Sequence, residues 1–195
     1  MLTRWRDAET RDYAAKLIVA FLITGVLGLA AKRAGVKLPE TIAPVAWALV
    51  VGGAWMLVAE WLAGSRKGTR VTWTVAIVVG LAQVVAGIFP GTSRSAATIF
   101  AAMLAGTSDR EAATEFAFLV GIPTMYAASA FELYHSLKAP VSHEDWGALA
   151  IAFAASAVTA FVAVRWLLTY IRTHRFTVFA IYRILLGSVL LIALA

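Results

Sequence analysis

The sequence contains no cysteine and few charged side chains, and both shortages limit what the protein can be. Without cysteine, disulfide bonds and thiolate metal sites are excluded. Charged residues make up 14% of the 195 residues, whereas a soluble domain carries roughly a quarter. Hydrophobic residues make up 61%, and the mean hydropathy is +0.81. These values predict an all-α polytopic membrane protein.

Acidic residues are also scarce, with 11 of them against 17 lysines and arginines, so the formal net charge is +6. A basic protein can bind nucleic acid, but here the basic residues lie in short loops between apolar runs. Membrane topology explains that placement better, so no nucleic-acid partner is expected. The mixed charge of Met1–Asp12 also argues against a cleavable signal peptide.

Six long apolar segments are expected to form membrane helices, at about 13–31, 42–63, 71–89, 112–134, 147–171 and 176–195. A seventh, Ala96–Gly106, is only 11 residues long. At ~1.5 Å per residue it covers about half of a ~30 Å hydrocarbon core, so it cannot cross. We predict a re-entrant half-helix, with the preceding break at 90–95 inside the membrane zone. The whole chain, 1–195, is expected to form a single integral membrane domain.

The distribution of basic loop residues supports a re-entrant pair, in which the segments 71–89 and 96–106 together do not cross the membrane. If the pair does not cross, ten basic residues share one side and four the other; if it crosses, the counts become eight and six. The first distribution is the stronger positive-inside bias, and it places the N-terminus in the cytoplasm. The ten are Arg4, Arg6, Arg11, Lys16, Arg66, Lys67, Arg70, Arg110, Arg172 and Arg175, and the four are Lys32, Arg33, Lys37 and Lys138.

The break itself reads PGTSRSAAT at 90–98. Pro90 and Gly91 end one helix, since proline lacks an N–H and glycine tolerates unusual dihedral angles. Thr92, Ser93 and Ser95 are all favoured residues for capping the start of the next helix.

A helix N-terminus with an arginine beside it is suited to an anion. Unpaired N–H groups and a partial positive charge attract phosphate oxygens, and Arg94 adds a planar, permanently charged fork. Thr98 follows one turn later and is expected to donate its hydroxyl to the same ligand. The alternative is that Arg94 merely binds carbonyls exposed by the break, with Ser93 and Ser95 as ordinary caps.

The residues around the break resemble the undecaprenyl-pyrophosphate phosphatase (bacitracin-resistance) family. FPGTSRSAATI at 89–99 is similar to that family's second signature, a Pro-Gly-x-Ser-Arg-Ser-x-x-Thr pattern. The resemblance covers nearly the whole chain and continues in ALVVGGAWMLVAE at 48–60, AGTSDREAATEFAFLVGIPTM at 105–125, FELYHS at 131–136 and FAIYRILLG at 179–187.

This resemblance implies a multi-pass enzyme of the bacterial cytoplasmic (inner) membrane. Such an enzyme removes the terminal phosphate from undecaprenyl pyrophosphate, which recycles the lipid carrier for peptidoglycan synthesis and confers bacitracin resistance. It also implies an inverted-repeat fold with two re-entrant pairs, the motif at 90–98 belonging to the second repeat. Its implied partners are a polyprenyl pyrophosphate and membrane lipids, with a homodimer left open. Carried over by position, the catalytic residues are Ser93 and Arg94, and the pyrophosphate-binding residues are Gly91, Thr92, Ser95 and Thr98.

The family's first repeat has no counterpart in this sequence. In the family, a glutamate-rich stretch running into a Pro-x-Ser-Ser-x-Gly-His pattern supplies carboxylates, a serine and a histidine. We therefore expect the 195-residue chain alone to be nearly inactive. Since no metal-ligand cluster is present, any Mg²⁺ or Ca²⁺ would be held through substrate phosphates. Two alternatives stay open: a lipid-phosphate or anion transporter with the broken helix as its binding site, and a non-catalytic remnant.

Other polar residues of the apolar segments are expected to be structural. Glu60, Arg165 and Arg183 lie where they can extend to the membrane surface, although a functional role for Arg183 stays open because it belongs to the family-like FAIYR stretch. Gln83 is expected to hydrogen-bond between helices, and Glu115 to suit the start of its helix. Solvated loop positions are expected for the histidines, His135, His143 and His174.

Overall fold

The computed structural model describes residues 7–35, 41–64, 68, 70–107, 109–138, 145–171 and 174–194. These residues form seven helices and no strand, which confirms the predicted all-α membrane class. The helices are α1 (Ala8–Arg33), α2 (Ile42–Gly64), α3 (Trp73–Ile88), α4 (Arg94–Ala105), α5 (Arg110–Lys138), α6 (Trp146–Ile171) and α7 (Thr177–Leu194).

Five helices are long and apolar enough to cross a membrane: α1, α2, α5, α6 and α7. The prediction of six was wrong, because the apolar run at 71–89 forms a helix of only 16 residues, α3. Thr72 caps its start by accepting a hydrogen bond from the Val75 N–H at 3.3 Å, and the helix stops just before Pro90. At 1.5 Å per residue α3 is about 24 Å long, short of a full hydrocarbon core.

The α3–α4 hairpin starts and ends at the same place, which confirms its predicted re-entrant shape. The hydroxyl of Thr107, after α4, donates to the carbonyl of Arg70, before α3, at 3.2 Å. The N–H of Asp109 donates to the carbonyl of Gly68 at 3.4 Å. The hairpin therefore enters the bundle and returns without crossing it.

Ion pairs at the two ends of the bundle show which ends of the long helices lie together. Near the end of α2, Glu60 pairs with Arg110 at the start of α5, at 3.1 Å. At the opposite end, Lys32 of α1 lies 3.8 Å from Glu132 of α5. These contacts match the predicted grouping of loops on two sides. Of the residues used for that prediction, Arg4, Arg6, Lys37, Arg66, Lys67 and Arg172 lie outside the described residues, as does His143.

Helix α4 lies at the centre of the packing. Two of the largest fully buried side chains, Phe100 and Met103, belong to it, and they pack with Phe116 of α5 and Val75 of α3. The ring of Phe100 meets that of Phe176 edge to face, with 5.3 Å between centroids. By contrast, α6 touches the bundle mainly through α5 and leaves most of its apolar side chains exposed, as expected for a lipid-facing helix. The packing thus places the start of α4, and the break before it, inside the bundle.

Candidate active site

The break between α3 and α4 carries an uncommon backbone conformation at Ser93. Its φ is 64° and its ψ is 103°, and it is the only residue other than glycine with a positive φ in the described part of the chain. Such a conformation costs about 1–3 kcal/mol and is concentrated at functional sites. Ser93 is also the N-cap of α4, because its Oγ accepts a hydrogen bond from the Ala96 N–H at 3.4 Å. This confirms the predicted capping role and shows a strained serine at a helix start.

The first N–H groups of α4 are available to a ligand. The N–H of Ala97 donates to the Ser93 carbonyl at 2.9 Å, and that of Ala96 is capped by Ser93. The N–H groups of Arg94 and Ser95 have no acceptor among the described residues. Two unpaired donors at a helix N-terminus attract an anion.

Arg94 brings a positive charge to the same place. Its side chain is exposed and lines two cavities, of about 720 Å³ and 650 Å³. It contacts the sulfur of Met125 in α5, and no carboxylate in the described ranges pairs with it. A permanently charged guanidinium without a counter-ion, next to free N–H groups, fits a phosphate or pyrophosphate.

Arg183 of α7 hydrogen-bonds to the backbone of the break and to that of α2. Its Nη2 donates to the carbonyl of Gly91 at 2.7 Å and to that of Ala48 in α2 at 3.3 Å. Gly91 has a φ of 92°, and an added Cβ would lie 2.7 Å from the Val45 carbonyl oxygen, so only glycine fits against α2. The expectation that Arg183 extends to the surface was wrong. Its place in the family-like FAIYR stretch was the only sequence signal for this contact.

The predicted site residues separate into two groups. Arg94, Ser95 and Thr98 line the larger cavity, while Gly91, Thr92 and Ser93 are not among its lining residues and form the break instead. The Thr98 hydroxyl donates to the carbonyls of Arg94 and Ser95, at 2.9 and 3.1 Å, and the residue is buried. Its proton is therefore used inside α4, which differs from the free donor that the spacing predicted.

Gln83 of α3 also reaches this region and was expected to bond between helices. Its side chain is 2% exposed, and neither amide atom has a hydrogen-bond partner among the described residues. Gln83 lines both cavities together with Arg94. A buried amide without partners costs about 1–3 kcal/mol, so this arrangement is unfavourable in the unliganded protein.

Glu115 and Glu132 of α5 lie away from the point at which Arg94 contacts that helix, Met125. Glu115 is ten residues from Met125 along α5, about 15 Å at 1.5 Å per residue. Glu132 lines the smaller cavity but is seven residues beyond Met125, or about 10 Å, and it pairs with Lys32. A general base must lie within about 3 Å of the proton it removes, and neither carboxylate lies that close to the Arg94–Met125 contact.

Glu60 was expected to extend outward and is instead 6% exposed. Its carboxylate accepts from Arg110 Nε at 3.1 Å, from the Phe176 N–H at 3.2 Å and from the Thr177 hydroxyl at 3.4 Å. It thereby joins α2, α5 and the start of α7. Glu60 is therefore a structural residue of the bundle.

The donor set around Arg94 fits an anion and does not fit a cation. Two N–H groups and a guanidinium are all donors, and the described chain contains no group of three or more histidine, aspartate or glutamate side chains that could hold a metal ion.

Comparison with known proteins identifies the family of the chain. Residues 1–189 match the model of the bacitracin resistance protein BacA family. Relatives named undecaprenyl-diphosphatase include one from Rhizobium etli, 65% identical over 189 residues that make up 96% of this chain and 71% of the relative. Another, from Xanthomonas oryzae pv. oryzae, is 58% identical over 188 residues, which are 95% of this chain and 71% of the relative. The strained serine, the arginine without a counter-ion and the re-entrant hairpin are thus features of a chain that belongs to the bacitracin resistance protein BacA family.

Proposed function

We propose that this chain acts as an undecaprenyl-pyrophosphate phosphatase, which hydrolyses the lipid pyrophosphate to undecaprenyl phosphate and inorganic phosphate. The observation that carries the proposal is the set of unpaired donors at the start of α4: Arg94 and the N–H groups of Arg94 and Ser95. The names of relatives at 58–65% identity support the same reaction over the transporter alternative.

The donors act on the charge of the substrate. Cleaving a pyrophosphate requires neutralisation of both the transferred and the leaving phosphate, together with an aligned nucleophile. Arg94 binds two phosphoryl oxygens through its planar fork, and the N–H groups of α4 bind a third. Held in place before the reaction, these groups stabilise the charge that develops in the transition state.

Ser93 is proposed to act beside this anion site, either as the nucleophile or as the residue that orients the attacking water. Its hydroxyl stands at the first turn of α4, held by a backbone conformation that few residues adopt. From there it either attacks the terminal phosphorus, which breaks the P–O–P bridge, releases undecaprenyl phosphate and leaves a phosphoserine that water hydrolyses to inorganic phosphate, or it orients a water that makes the same displacement directly. Either route requires a general base, typically worth 10²–10⁴-fold. We propose that this base is a carboxylate of the family's first repeat, since Glu115 and Glu132 lie too far along α5.

The setting of the reaction follows from the five long apolar helices, which make this a multi-pass membrane protein. We propose the bacterial cytoplasmic membrane as its location, where the lipid carrier of cell-wall sugars is recycled. A polyprenyl pyrophosphate would place its head at Arg94 and its chain against apolar cavity walls. A homodimer stays a prediction, to be tested by the mass of the purified protein in detergent.

The proposal is tested by phosphate release from undecaprenyl pyrophosphate in nanodiscs. The 195-residue chain is assayed alone and after co-expression with the N-terminal segment of the Rhizobium etli relative. We expect slow release by the chain alone and a rate about 10²–10⁴-fold higher after co-expression, because the segment supplies the base. Arg94→Ala should abolish release in both cases, while Arg33→Ala, which changes an exposed arginine at the end of α1, should not.

Two results would contradict this view. Transfer of intact lipid pyrophosphate across the bilayer without phosphate release would favour the transporter. Fast release by the chain alone that Arg94→Ala abolishes would mean that an acid within the chain, Glu115 or Glu132 after rearrangement, serves as the base.

A further inference from the structure

Gln83 combines three features that a structural glutamine does not share. It lies in an apolar helix, its side chain is 2% exposed, and neither Nε2 nor Oε1 has a hydrogen-bond partner in the described chain. Buried polar atoms are nearly always paired, so an unpaired amide calls for an explanation. A glutamine that joined two helices would show its partner on a neighbouring helix.

The position of Gln83 supplies that explanation. Gln83 lines both the larger and the smaller cavity, and among the residues that the structure describes Arg94 is the other one that lines both. Ser95, whose N–H is unpaired, lines the larger cavity with them. The buried side chain of Gln83 in α3 therefore borders the same space as the anion donors of α4.

We propose that Gln83 is a substrate-binding residue whose Nε2–H donates to a phosphoryl oxygen held by Arg94 and the start of α4. This inference rests on the proposed function and adds a contact from α3, the other arm of the hairpin. The substrate completes the hydrogen bonding of an amide that is otherwise buried without a partner. Oε1 then accepts from water in the same cavity.

A neutral amide suits this place better than a charged group. A carboxylate at position 83 would repel the phosphate and compete for Arg94, while a second cation would repel Arg94 in a poorly hydrated interior. An amide donates without changing the net charge of the site.

The proposal predicts opposite effects on stability and binding. Gln83→Met keeps the length of the side chain and removes its polar atoms. Because the amide has no partner in the free protein, its removal should leave the thermal unfolding temperature equal or higher. Binding of farnesyl pyrophosphate, the probe, should weaken at least about tenfold, as expected for the loss of one hydrogen bond to a charged group.

Thr107→Val is the matched control, since Thr107 is also a fully buried polar residue but has a partner, the Arg70 carbonyl at 3.2 Å. The substitution removes the hydrogen bond between Thr107 and Arg70, so it should lower the unfolding temperature and leave the dissociation constant of the probe unchanged. Gln83→Glu gives a second measurement, because it keeps the shape and adds a negative charge. It should weaken binding more than Gln83→Met does.

Calorimetry of the full chain in nanodiscs, with farnesyl pyrophosphate, separates the outcomes. If the parent chain does not bind the probe, the proposed function fails and this inference fails with it. If the parent binds and both Gln83 variants bind equally well, only the role of Gln83 is overturned. A fall in unfolding temperature for Gln83→Met as large as that for Thr107→Val would also overturn it, by assigning Gln83 to packing.

Discussion

Arg94 and Arg183 are two arginines within apolar helices that use their guanidinium groups in opposite ways. Arg183 donates to two backbone carbonyls, those of Gly91 and Ala48, and holds the break in place. Arg94 faces two cavities and has no carboxylate partner in the described chain. An arginine in a membrane helix costs about 2.5–3.5 kcal/mol on insertion scales. For Arg183 the two hydrogen bonds to backbone carbonyls offset this cost. The guanidinium of Arg94 is available to a ligand.

For Arg94, replacement by lysine keeps the charge and removes the planar fork. We expect Arg94→Lys to weaken binding of farnesyl pyrophosphate by about 1–3 kcal/mol, the range for charge-assisted hydrogen bonds. Calorimetry in nanodiscs measures the difference, and Arg33→Lys, at an exposed position, serves as the control. Parent-like binding by both Arg94→Lys and Arg94→Ala would assign Arg94 to the structure alone.

For Arg183, the lysine variant loses the geometry that spans two carbonyls. Arg183→Lys should lower the free energy of unfolding by about 1–3 kcal/mol and also weaken probe binding, although Arg183 is not among the cavity residues. Arg165→Lys is the control, since Arg165 is an exposed arginine in α6. A loss of stability with unchanged binding would show that the break keeps its shape without Arg183.

Individual residues were predicted correctly from the sequence where a residue acts through its own segment. The cap at Ser93 follows from the local preference of serine for helix starts. The predictions failed where the partner comes from a distant segment: the bonds of Arg183 to Gly91 and Ala48, and the burial of Glu60, depend on how α2, α5 and α7 meet. The unpaired amide of Gln83 was missed for the same reason, since only the structure shows that none of the described residues bonds to it.

The α3–α4 hairpin is the element that turns these residues into a site. Its two helices are both too short to cross, and its ends are joined through Thr107 and Arg70. The half-helix was predictable because an 11-residue apolar run cannot span a bilayer. The length of α3 was not, because the apolar residues Val71 and Phe89 extend the apolar pattern beyond the helix that forms.

The hairpin can be tested by labelling, which is simple in a chain without cysteine. Single cysteines at Arg70 and Asp109, both exposed, should react with a membrane-impermeant maleimide from the same side of the membrane. Gly106 is unsuitable because its φ is 133°. A cysteine at Lys32 should react from the opposite side, and labelling of Arg70→Cys and Asp109→Cys from different sides would contradict the re-entrant hairpin.

A buried carboxylate, that of Glu60, links three helices at one end of the molecule. Glu60 connects three helices, and with Arg110 it forms the described ion pair that has the most buried carboxylate, at 6% exposure against 75% for Glu132. Removing one partner of a buried pair typically costs 3–5 kcal/mol, whereas an exposed pair contributes about 0–1 kcal/mol.

We therefore expect Glu60→Ala to lower the free energy of unfolding in detergent by about 3–5 kcal/mol. Glu132→Ala, which breaks the exposed pair with Lys32, should change it by less than about 1 kcal/mol. Denaturant titration followed by circular dichroism measures both. Equal effects of the two substitutions would mean that the Glu60 carboxylate is hydrated and does not join the helices.

The three contacts of Glu60 also have a consequence for the order of assembly during synthesis. Arg110 lies 50 residues after Glu60, and Phe176 lies 116 residues after it. A ribosome has therefore made α2 before it makes either partner. Until then the carboxylate must stay near the water at the membrane surface. The start of α7 completes its hydrogen bonds, so this end of the bundle closes only after nearly all of the 195 residues have been translated.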